Sequence, residues 1–325
     1  MSLGTNITRT GQATEPEALI EDAAVVQQAD RFDETRGGGG GHFEKKGGLL
    51  SKIGLHAALT TVAVLLSLPF VYMLCTSLKS LGEISSPSWL PRVPQFANYF
   101  NVFNTENPDI NNRGVPFGTF FRNSIFVACW VTFLQVVTSS MAAYSFARLK
   151  WPGRNKVFLL YLTTMMLPGL VMMIPNYQIM IQLGLVDTLP GLIIPAAFSA
   201  FGTFLLRQFM LGIPGSLDEA AEIDGASKFR IFWDIILPLA RPGLVTLTIF
   251  TFMGNYNSFF WPLVMLRTEE RYTLPVGLLF FDSSRGQSTH LMMAAVTMSV
   301  VPMILVFVLL QKQLVKGIQL GAVKG

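Results

Sequence analysis

The chain has 325 residues, of which 51% are hydrophobic and only 14% carry a charge, and its mean hydropathy is +0.46. This composition is typical of an integral membrane protein. The net charge of +4 is small and the basic residues lie beside apolar segments, which argues against nucleic acid as a partner. Two cysteines within apolar runs and three scattered histidines argue against a disulfide framework and against a metal site.

Residues 1–48 are polar and contain a run of five glycines at 37–41. Such a segment cannot offset its conformational entropy by packing, so we expect a flexible cytoplasmic tail. A basic start followed by an apolar stretch is missing, so the segment is not predicted to be a signal peptide. A short regulatory helix around residues 18–26 is the alternative. Residues 49–325 are expected to form one transmembrane domain.

The rest of the chain predicts an all-α integral membrane fold with six transmembrane helices. The third segment contains Pro168-Gly169, so we expect a kinked or broken helix there. The fourth is short for a crossing, and we expect its ends to reach Thr188 and Met210. The six segments are approximately 54–78, 120–146, 157–174, 192–206, 243–265 and 291–310.

The charge pattern predicts the orientation of these spans. Residues 147–156 follow the second span and hold four basic residues and no acid. Because positive charge favours the cytoplasmic side, this loop should lie inside. Both termini are then cytoplasmic, and so is the polar segment between the fourth and fifth spans.

That polar segment, residues 216–239, is called the hook here. Ser216 and Glu219 fit a capping box at the start of a short helix. Asp224-Gly225 supplies a positive-φ residue to end it. A second helix should begin near Ala226 and stop before Pro238.

Two further features indicate that the hook is built to dock. The acids of its first helix, Asp218, Glu219 and Glu222, share an arc. On the second helix an apolar stripe lies opposite a possible ion pair between Arg230 and Asp234. The stripe consists of Phe229, Phe232, Trp233 and Ile236.

The hook resembles the EAA loop of ABC-importer permeases. The pattern is Glu-Ala-Ala, three residues, Gly, nine residues, Ile, one residue and Leu-Pro, and it is met by Glu219, Ala220, Ala221, Gly225, Ile235, Leu237 and Pro238. Each piece alone also fits an ordinary amphipathic loop, but the joint spacing does not. The resemblance implies that these residues, with Asp224 and Phe229, couple the chain to an ATPase. The Pro- and Asn-Tyr-containing loop near residues 87–100 and the Gly-rich C-terminal tail resemble carbohydrate-type permeases as well.

The chemistry within the spans leaves few alternatives. Neither a nucleophile with a base nor an ionisable relay is visible deep in the predicted spans, which argues against an enzyme and against an ion-driven transporter. The chain also lacks the Gly-x-x-x-x-Gly-Lys-Ser/Thr phosphate loop. A pore without energy coupling of its own, joined to a cytoplasmic hook, calls for an ATPase in trans. A stand-alone channel or facilitator for a small polar solute remains the competing hypothesis.

The fifth span holds the most unusual polarity. Asn255, Tyr256, Asn257 and Trp261 could line the path of a neutral polyhydroxylated solute, through amide hydrogen bonds and an aromatic face. Hydrogen bonds between helices are the alternative role for these residues. For Gln135, Thr138, Ser139 and Ser140 on the second span, packing is the favoured interpretation.

The resemblance covers most of residues 49–325 and implies a permease subunit of a maltose-type importer that takes up a sugar or oligosaccharide. The implied partners are a second permease subunit, a pair of ATPase subunits and an extracytoplasmic solute-binding protein, all working with a multi-pass chain surrounded by lipid in a bacterial or archaeal plasma membrane. The chain itself is expected to be non-catalytic and to need no cofactor, because ATP and magnesium belong to the partner ATPase.

Overall fold

A computed structural model describes residues 49–103, 116–285 and 289–322, and the predicted tail at 1–48 lies outside these residues. Within them, all regular secondary structure is helical. The chain divides into two units, Met1–Leu66 and Ser67–Gly325. The described part of the first unit is the beginning of helix α1, which is apolar and exposed from Ile53 to Leu66.

The second unit contains the rest of α1 and all later helices. The helices are numbered here in chain order. They are α1 (Leu49–Ser77, shared with the first unit), α2 (Ala97–Asn101), α3 (Phe117–Arg148), α4 (Arg154–Thr163), α5 (Gly169–Gln182), α6 (Leu189–Ala196), α7 (Ala200–Leu211), α8 (Ser216–Ile223), α9 (Lys228–Leu239), α10 (Arg241–Tyr256), α11 (Phe260–Met265), α12 (Leu274–Arg285) and α13 (Thr289–Ala322). Short 3₁₀ turns lie at Leu81–Glu83, Thr164–Met166 and Glu269–Arg271.

Three of the described helices contain segments long and apolar enough to cross a membrane unaided: Lys52–Ser77, Phe117–Arg148 and Thr289–Lys312. Three further helix pairs reach that length together but are bent at a break. The bends are 99° at α4–α5, 42° at α6–α7 and 75° at α9–α10. The number of spans is therefore three, or up to six if each bent pair counts as one.

Helix α3 is the centre of the second unit. It packs along α7 and α10 and also contacts α6 and α12. Small residues allow these close approaches. A Cβ added at Gly202 would lie 2.6 Å from Ser139 Oγ, so α7 can approach α3 this closely only with glycine at 202.

The predicted break at Pro168-Gly169 is confirmed: α4 and its 3₁₀ turn end at Met166, and α5 begins at Gly169. The fourth span begins after its N-cap Thr188 and ends at Leu211, within one residue of the predicted ends, but it is interrupted in the middle. Its α6 ends at Ala196, and α7 begins after the N-cap Ser199, whose Oγ accepts a 3.0 Å hydrogen bond from Gly202 N.

The break between α6 and α7 is stabilised by polar side chains of α3. Gln135 Nε2 donates to Ala196 O at 2.6 Å, and Thr138 Oγ1 donates to Ala197 O at 2.8 Å. Inside a membrane, carbonyl groups freed at a helix break need such partners. Gln135 and Thr138 therefore do more than pack, since they stabilise the interruption of the fourth span.

The predicted fifth span, residues 243–265, is also interrupted. Helix α10 ends at Tyr256 and α11 begins at Phe260. The intervening Asn257 is the C-cap of α10, with its backbone N–H bonded to Met253 O at 3.2 Å. The run Gly254-Asn-Tyr-Asn has low helix propensity, which accounts for a helix end at this place.

Candidate coupling segment and solute cleft

Gly225 forms the turn between the two helices of the hook. Its φ of +79° lies in the left-handed region, as the sequence predicts. Ala226 N donates to Ala221 O at 2.9 Å, and Gly225 N donates to Glu222 O at 3.0 Å. These two bonds form a Schellman motif, which fixes the angle at which α8 ends. The ion pair between Lys228 and Glu222 joins the two helices across the same turn.

Arg148 fastens the hook to the end of α3. Its Nη1 lies 3.2 Å from Asp218 Oδ2, and Nη2 donates to Met210 O at 2.7 Å and to Ile213 O at 2.6 Å. The Arg148 side chain is 10% exposed and that of Asp218 is 17% exposed. One planar guanidinium thus binds the carboxyl end of α7 and the first turn of α8 together, a geometry that lysine cannot reproduce.

A second attachment lies one turn earlier on α3. Tyr144 Oη donates to Lys228 O at 3.0 Å, and its ring contacts that of Phe232 at a centroid distance of 5.1 Å. Ala221, Ile231 and Ile236 are buried in the same cluster, with Ile235 and Leu237 packed at its edge. The inner face of the hook is therefore fixed to α3 and α7 through an apolar core.

The outer face of the hook presents large side chains to solvent. Ile223 is 87% exposed, Phe229 70% and Trp233 59%, and the last two rings stack at 6.3 Å. Glu219, Ala220, Asp224 and Gly225 are exposed beside them. Exposed apolar side chains among polar ones are typical of a protein interaction surface.

The structure corrects two predictions for α8. Its N-cap is Gly215 and no side chain caps it, so the capping box of Ser216 and Glu219 does not form. Gly215 O instead accepts from Asp218 N and Glu219 N. Asp218 does not share an exposed arc with Glu219, because it is turned inward to Arg148.

The structure also corrects two predictions for α9. The helix continues through Pro238 to Leu239. Proline has no N–H to donate to the backbone, and the wider π-helical turn at Ile231–Ile236, directly before Pro238, does not require a hydrogen bond from this nitrogen. The predicted apolar stripe divides into a buried half, Phe232 and Ile236, and the exposed pair Phe229 and Trp233. The predicted ion pair between Arg230 and Asp234 is confirmed, at 3.3 Å.

An open cleft of about 600 Å³ lies where three helix breaks meet. Gly169 begins α5 and Ala196 ends α6. Ser258 and Phe259 lie between α10 and α11, and Phe260 and Trp261 begin α11. The lining is mainly apolar, with an amide and a hydroxyl: Gly169, Leu170, Met173, Asn176, Pro195, Ala196, Ser258, Phe259, Phe260 and Trp261. Apolar and aromatic walls with few polar groups are typical of small-molecule sites.

Of the residues predicted to line a solute path, only Trp261 lies in this cleft. Tyr256 is 2% exposed and stacks on Phe252, and its hydroxyl donates to Ser299 O at 3.0 Å. Asn255 Nδ2 donates to Thr251 O at 2.8 Å. Asn257 is exposed, and its Nδ2 donates to Met253 O at 3.0 Å and to Met303 Sδ at 2.9 Å. Tyr256 is therefore buried and bonds α10 to α13, which is the alternative role that the sequence analysis gives these residues.

Asp187 forms a clasp between the loop before α6 and the loop before α12. Its carboxylate accepts from Arg267 N at 2.9 Å and Thr268 N at 3.0 Å, and pairs with Arg271 Nη1 at 2.9 Å. Partial burial raises the pKa of this carboxyl, but the hydrogen bonds from Thr268 and Arg267 and the charge of Arg271 outweigh it and lower the pKa to about 2. Asp187 itself has a φ of +58°.

The hook and the cleft both lie within a region that matches a known family. Residues 135–320 match the family described as binding-protein-dependent transport system inner membrane component. The chain belongs to this family. It is a permease subunit of an ABC transporter with several membrane-spanning helices.

Curated relatives agree with this assignment over most of the permease. This chain is 33% identical over 276 residues to the arabinooligosaccharides transport system permease protein AraQ of Bacillus subtilis. The match covers 82% of this chain and 95% of the relative. It is 32% identical over 266 residues to the sn-glycerol-3-phosphate transport system permease protein UgpE of Yersinia enterocolitica, covering 81% and 94%.

A solved structure agrees as well. A chain in the crystal structure of a bacterial ABC transporter involved in the import of the acidic polysaccharide alginate superposes with a TM-score of 0.70 and 27% identity. The similarity covers 81% of this permease and 96% of that chain.

Sequence reasoning missed Arg148, Tyr144, Asn176 and Ser258. Arg148 is a basic residue in the last turn of α3, a position that indicates binding to the carbonyl groups of that same helix, so the sequence did not indicate its partners Met210, Ile213 and Asp218. Ser258 closes the unusual polar run 254–258 of the fifth span, but no role of its own was predicted for it. Asn176 gave no signal, because only the three breaks together bring it to the cleft.

Proposed function

We propose that this permease is one of two integral subunits of an ATP-driven importer that takes up a sugar or oligosaccharide. An extracytoplasmic binding protein delivers the solute, and two ATPase subunits bind the hook from the cytoplasm. Support for a carbohydrate comes from relatives named for arabinooligosaccharides and for alginate. A further relative is named for sn-glycerol-3-phosphate, which also carries hydroxyl groups.

The observation that carries the coupling role is the two-sided build of the hook. Its inner face is held by Arg148 and Tyr144, and its outer face exposes Ile223, Phe229 and Trp233. A segment rigidly attached on one side and exposed on the other can transmit a push from a partner. ATP-driven closure of the ATPase pair would move this hook and, through Arg148, the end of α3.

The proposed topology has six spans with both termini and the hook in the cytoplasm. Arg148 contacts the hook and directly precedes the basic loop 149–156, so both lie at one end of α3. Asn123, near the other end, donates to Glu270 O and Tyr272 O. A helical rise of 1.5 Å per residue separates Asn123 from Arg148 by about 37 Å, enough to cross a bilayer. Positive charge then assigns the hook to the inside and the Asp187 clasp to the outside.

The proposed fifth span combines α10 with α11, and α9 stays in the cytoplasm as part of the hook. Support comes from the exposed polar side chains of α8 and α9, among them Glu219, Glu222, Asp224 and Lys228. Residues 49–325 then form the permease domain and residues 1–48 a cytoplasmic tail. The subunit itself is non-catalytic, because ATP and magnesium are bound by the partner ATPase.

The solute contacts proposed for this subunit are in the cleft at the three breaks. Asn176 and Ser258 can hydrogen-bond hydroxyl groups, while the Trp261 ring can pack against the apolar face of a sugar. Asn255 and Asn257 lie on the adjoining end of α10 and remain candidates for the same path. Discontinuous helices commonly form such sites in transporters.

Uptake and ATPase co-purification test the coupling role. Ala220→Arg places a long charged side chain on the exposed face of the hook, where folding tolerates it. We expect the subunit to stay in the membrane but to lose uptake and release the ATPase. The matched control is Arg92→Ala, at an exposed residue remote from the hook in sequence. Normal uptake by Ala220→Arg would refute the proposal.

Labelling of an added cysteine tests the topology. In a chain whose Cys75 and Cys129 are replaced by alanine, Ile223→Cys should react with a membrane-impermeant maleimide only after the membrane is opened. Glu269→Cys should react in intact cells. Reaction of Ile223→Cys in intact cells would place the hook outside and end the coupling hypothesis.

A further inference from the structure

A small cleft of about 380 Å³ lies on the basic loop between α3 and α4. It is lined by Lys150, Trp151, Gly153, Arg154, Asn155 and Lys156. The three cations converge on one site, and this part of the described chain contributes no acid to it. The coupling role of the hook does not use this cleft.

The three cations are available to a ligand. Ion pairs in the described part of the chain involve Arg148, Lys228, Arg230 and Arg271, and none involves Lys150, Arg154 or Lys156. Two nitrogens of the Arg154 guanidinium bind the chain itself: Nη1 donates to Leu149 O at 3.0 Å and Nε donates to Asn155 Oδ1 at 3.4 Å. Nη2 is not bound by the described residues and remains for a ligand.

The floor of the cleft is held by aromatic packing. The Trp151 ring lies 5.8 Å from that of Phe146, which also contacts Phe158 at 5.2 Å. Arg207 stacks over Phe158 at 4.2 Å and donates to Phe146 O. The loop is therefore anchored to α3, α4 and α7, and its cations are presented from a fixed frame.

An apolar surface begins where the cations end. Val157 and Leu160 follow Lys156 at a spacing that puts them on one side of α4, and both are exposed, as is Leu159. A half-buried tryptophan between charge and apolar surface is typical of the membrane interface. A ligand that fits this arrangement has an anionic head and hydrocarbon tails.

We propose that this cleft binds the headgroup phosphate of an anionic phospholipid, with the acyl chains lying on Val157 and Leu160. Charge complementarity selects an anionic head over a zwitterionic one, and the adjoining apolar face selects a lipid over free phosphate. Because the site depends only on the membrane location of the family, it stands or falls separately from the coupling role of the hook. Its position directly after Arg148 places the lipid beside the residue that holds the hook.

Native mass spectrometry of the full-length permease, purified with its co-expressed partners, tests this site. The probes are phosphatidylglycerol, phosphatidylcholine of the same chain length, and inorganic phosphate. We expect retained phosphatidylglycerol in preference to phosphatidylcholine. Each cation near an anionic surface contributes about fivefold in affinity, so Lys150→Gln/Arg154→Gln/Lys156→Gln should weaken that retention by on the order of 100-fold.

The matched control removes the same charge elsewhere, in Arg92→Gln/Arg241→Gln/Lys312→Gln, three exposed positions outside the cleft. It should keep the preference. Equal loss in the control, no preference in the unaltered protein, or displacement of the lipid by millimolar inorganic phosphate would each overturn the proposal. If the triple variant does not assemble, Lys156→Gln alone should lose about fivefold and Lys156→Arg should lose nothing. Identical retention in these two single variants would overturn it as well.

Discussion

Arg148 Nη1 and Asp218 Oδ2 form a 3.2 Å ion pair that joins the last turn of α3 to the first turn of α8. The pair is largely buried, and the same guanidinium also binds the carbonyl groups of Met210 and Ile213. Through this pair the hook is attached to a helix that packs against α7 and α10 in the centre of the second unit.

Arg148→Ala is expected to loosen the hook more than Asp218→Asn. The alanine variant leaves a buried carboxylate and two carbonyl groups without their donor, a loss of about 3–5 kcal/mol for a buried pair. In Asp218→Asn the side-chain amide oxygen would still accept a hydrogen bond from Arg148. Hydrogen exchange of residues 216–226 in the purified complex measures the difference in hook stability between the two variants.

In the alanine variant we also expect ATP hydrolysis that no longer depends on the binding protein. Equal exchange in both variants would show that the carbonyl contacts contribute nothing.

Gly225→Ala separates backbone conformation from contact. Nothing lies within 4 Å of a Cβ added at Gly225, so the substitution tests only the left-handed φ of +79°. A residue other than glycine costs roughly 1–2 kcal/mol there, while asparagine tolerates the conformation better. We expect uptake to decrease in the order glycine, asparagine, alanine, with each variant inserted normally.

Gly225→Asp adds a charge on the surface that the ATPase is proposed to bind, so uptake and ATPase co-purification should both be lost. Equal loss of uptake in Gly225→Asn and Gly225→Ala would show that the partner excludes any side chain at 225, whatever its conformation. Full uptake in Gly225→Ala would remove the conformational argument.

Much of the hook could be predicted from sequence because its determinants are local. Gly225 is the residue type that a left-handed turn requires, and Arg230 and Asp234 are at pairing distance on any helix. The π-helical turn at Ile231–Ile236 could not be predicted, since it depends on how Phe232 and Ile236 fit against Tyr144. The same limit applies to Asp218, whose partner Arg148 lies seventy residues earlier in the chain.

The broken spans show the same division. Proline and glycine at 168–169 mark one break in the sequence itself. At the break after Ala196, Gln135 and Thr138 of α3 donate hydrogen bonds to the carbonyl groups of Ala196 and Ala197, a contribution of tertiary structure. The cleft depends on all three breaks, so Asn176 could not be predicted to line it. Ser258 and Trp261 lie in or beside the polar run of the fifth span that the sequence singles out.

The Asp187 clasp should make the proposed outer loops sensitive to acid. The pKa of Asp187 is about 2 in the folded protein and about 3.9 in an unfolded chain. A lowered folded pKa means that the carboxylate stabilises the fold fully above pH 4, and that this contribution decreases as the pH falls from about 4 to about 2. Hydrogen exchange of residues 266–273 at pH values from about 2 to 7 measures it.

Asp187→Asn is the control, because asparagine accepts the same φ of +58° and keeps a neutral acceptor. It should lose about 1–2 kcal/mol of loop stability at neutral pH and show no further loss on acidification, apart from what other carboxylates contribute. A loop equally acid-sensitive in both proteins would assign the effect to another group.

Three substitutions near the end of α10 distinguish solute contacts from helix contacts. Trp261→Ala removes an aromatic wall of the cleft and should raise the sugar concentration needed for half-maximal uptake without changing assembly. Tyr256→Phe removes the hydrogen bond to Ser299 O, so it should cost about 1 kcal/mol of stability and leave that concentration unchanged.

Asn257→Ala lies between these cases, because the Asn257 amide bonds Met253 and Met303 while the side chain remains exposed. If Asn257 contacts the solute, its alanine variant should follow Trp261→Ala in uptake kinetics; if it joins helices, it should follow Tyr256→Phe in thermal stability. Unchanged kinetics in Trp261→Ala would mean that the cleft at the three breaks is not on the solute path.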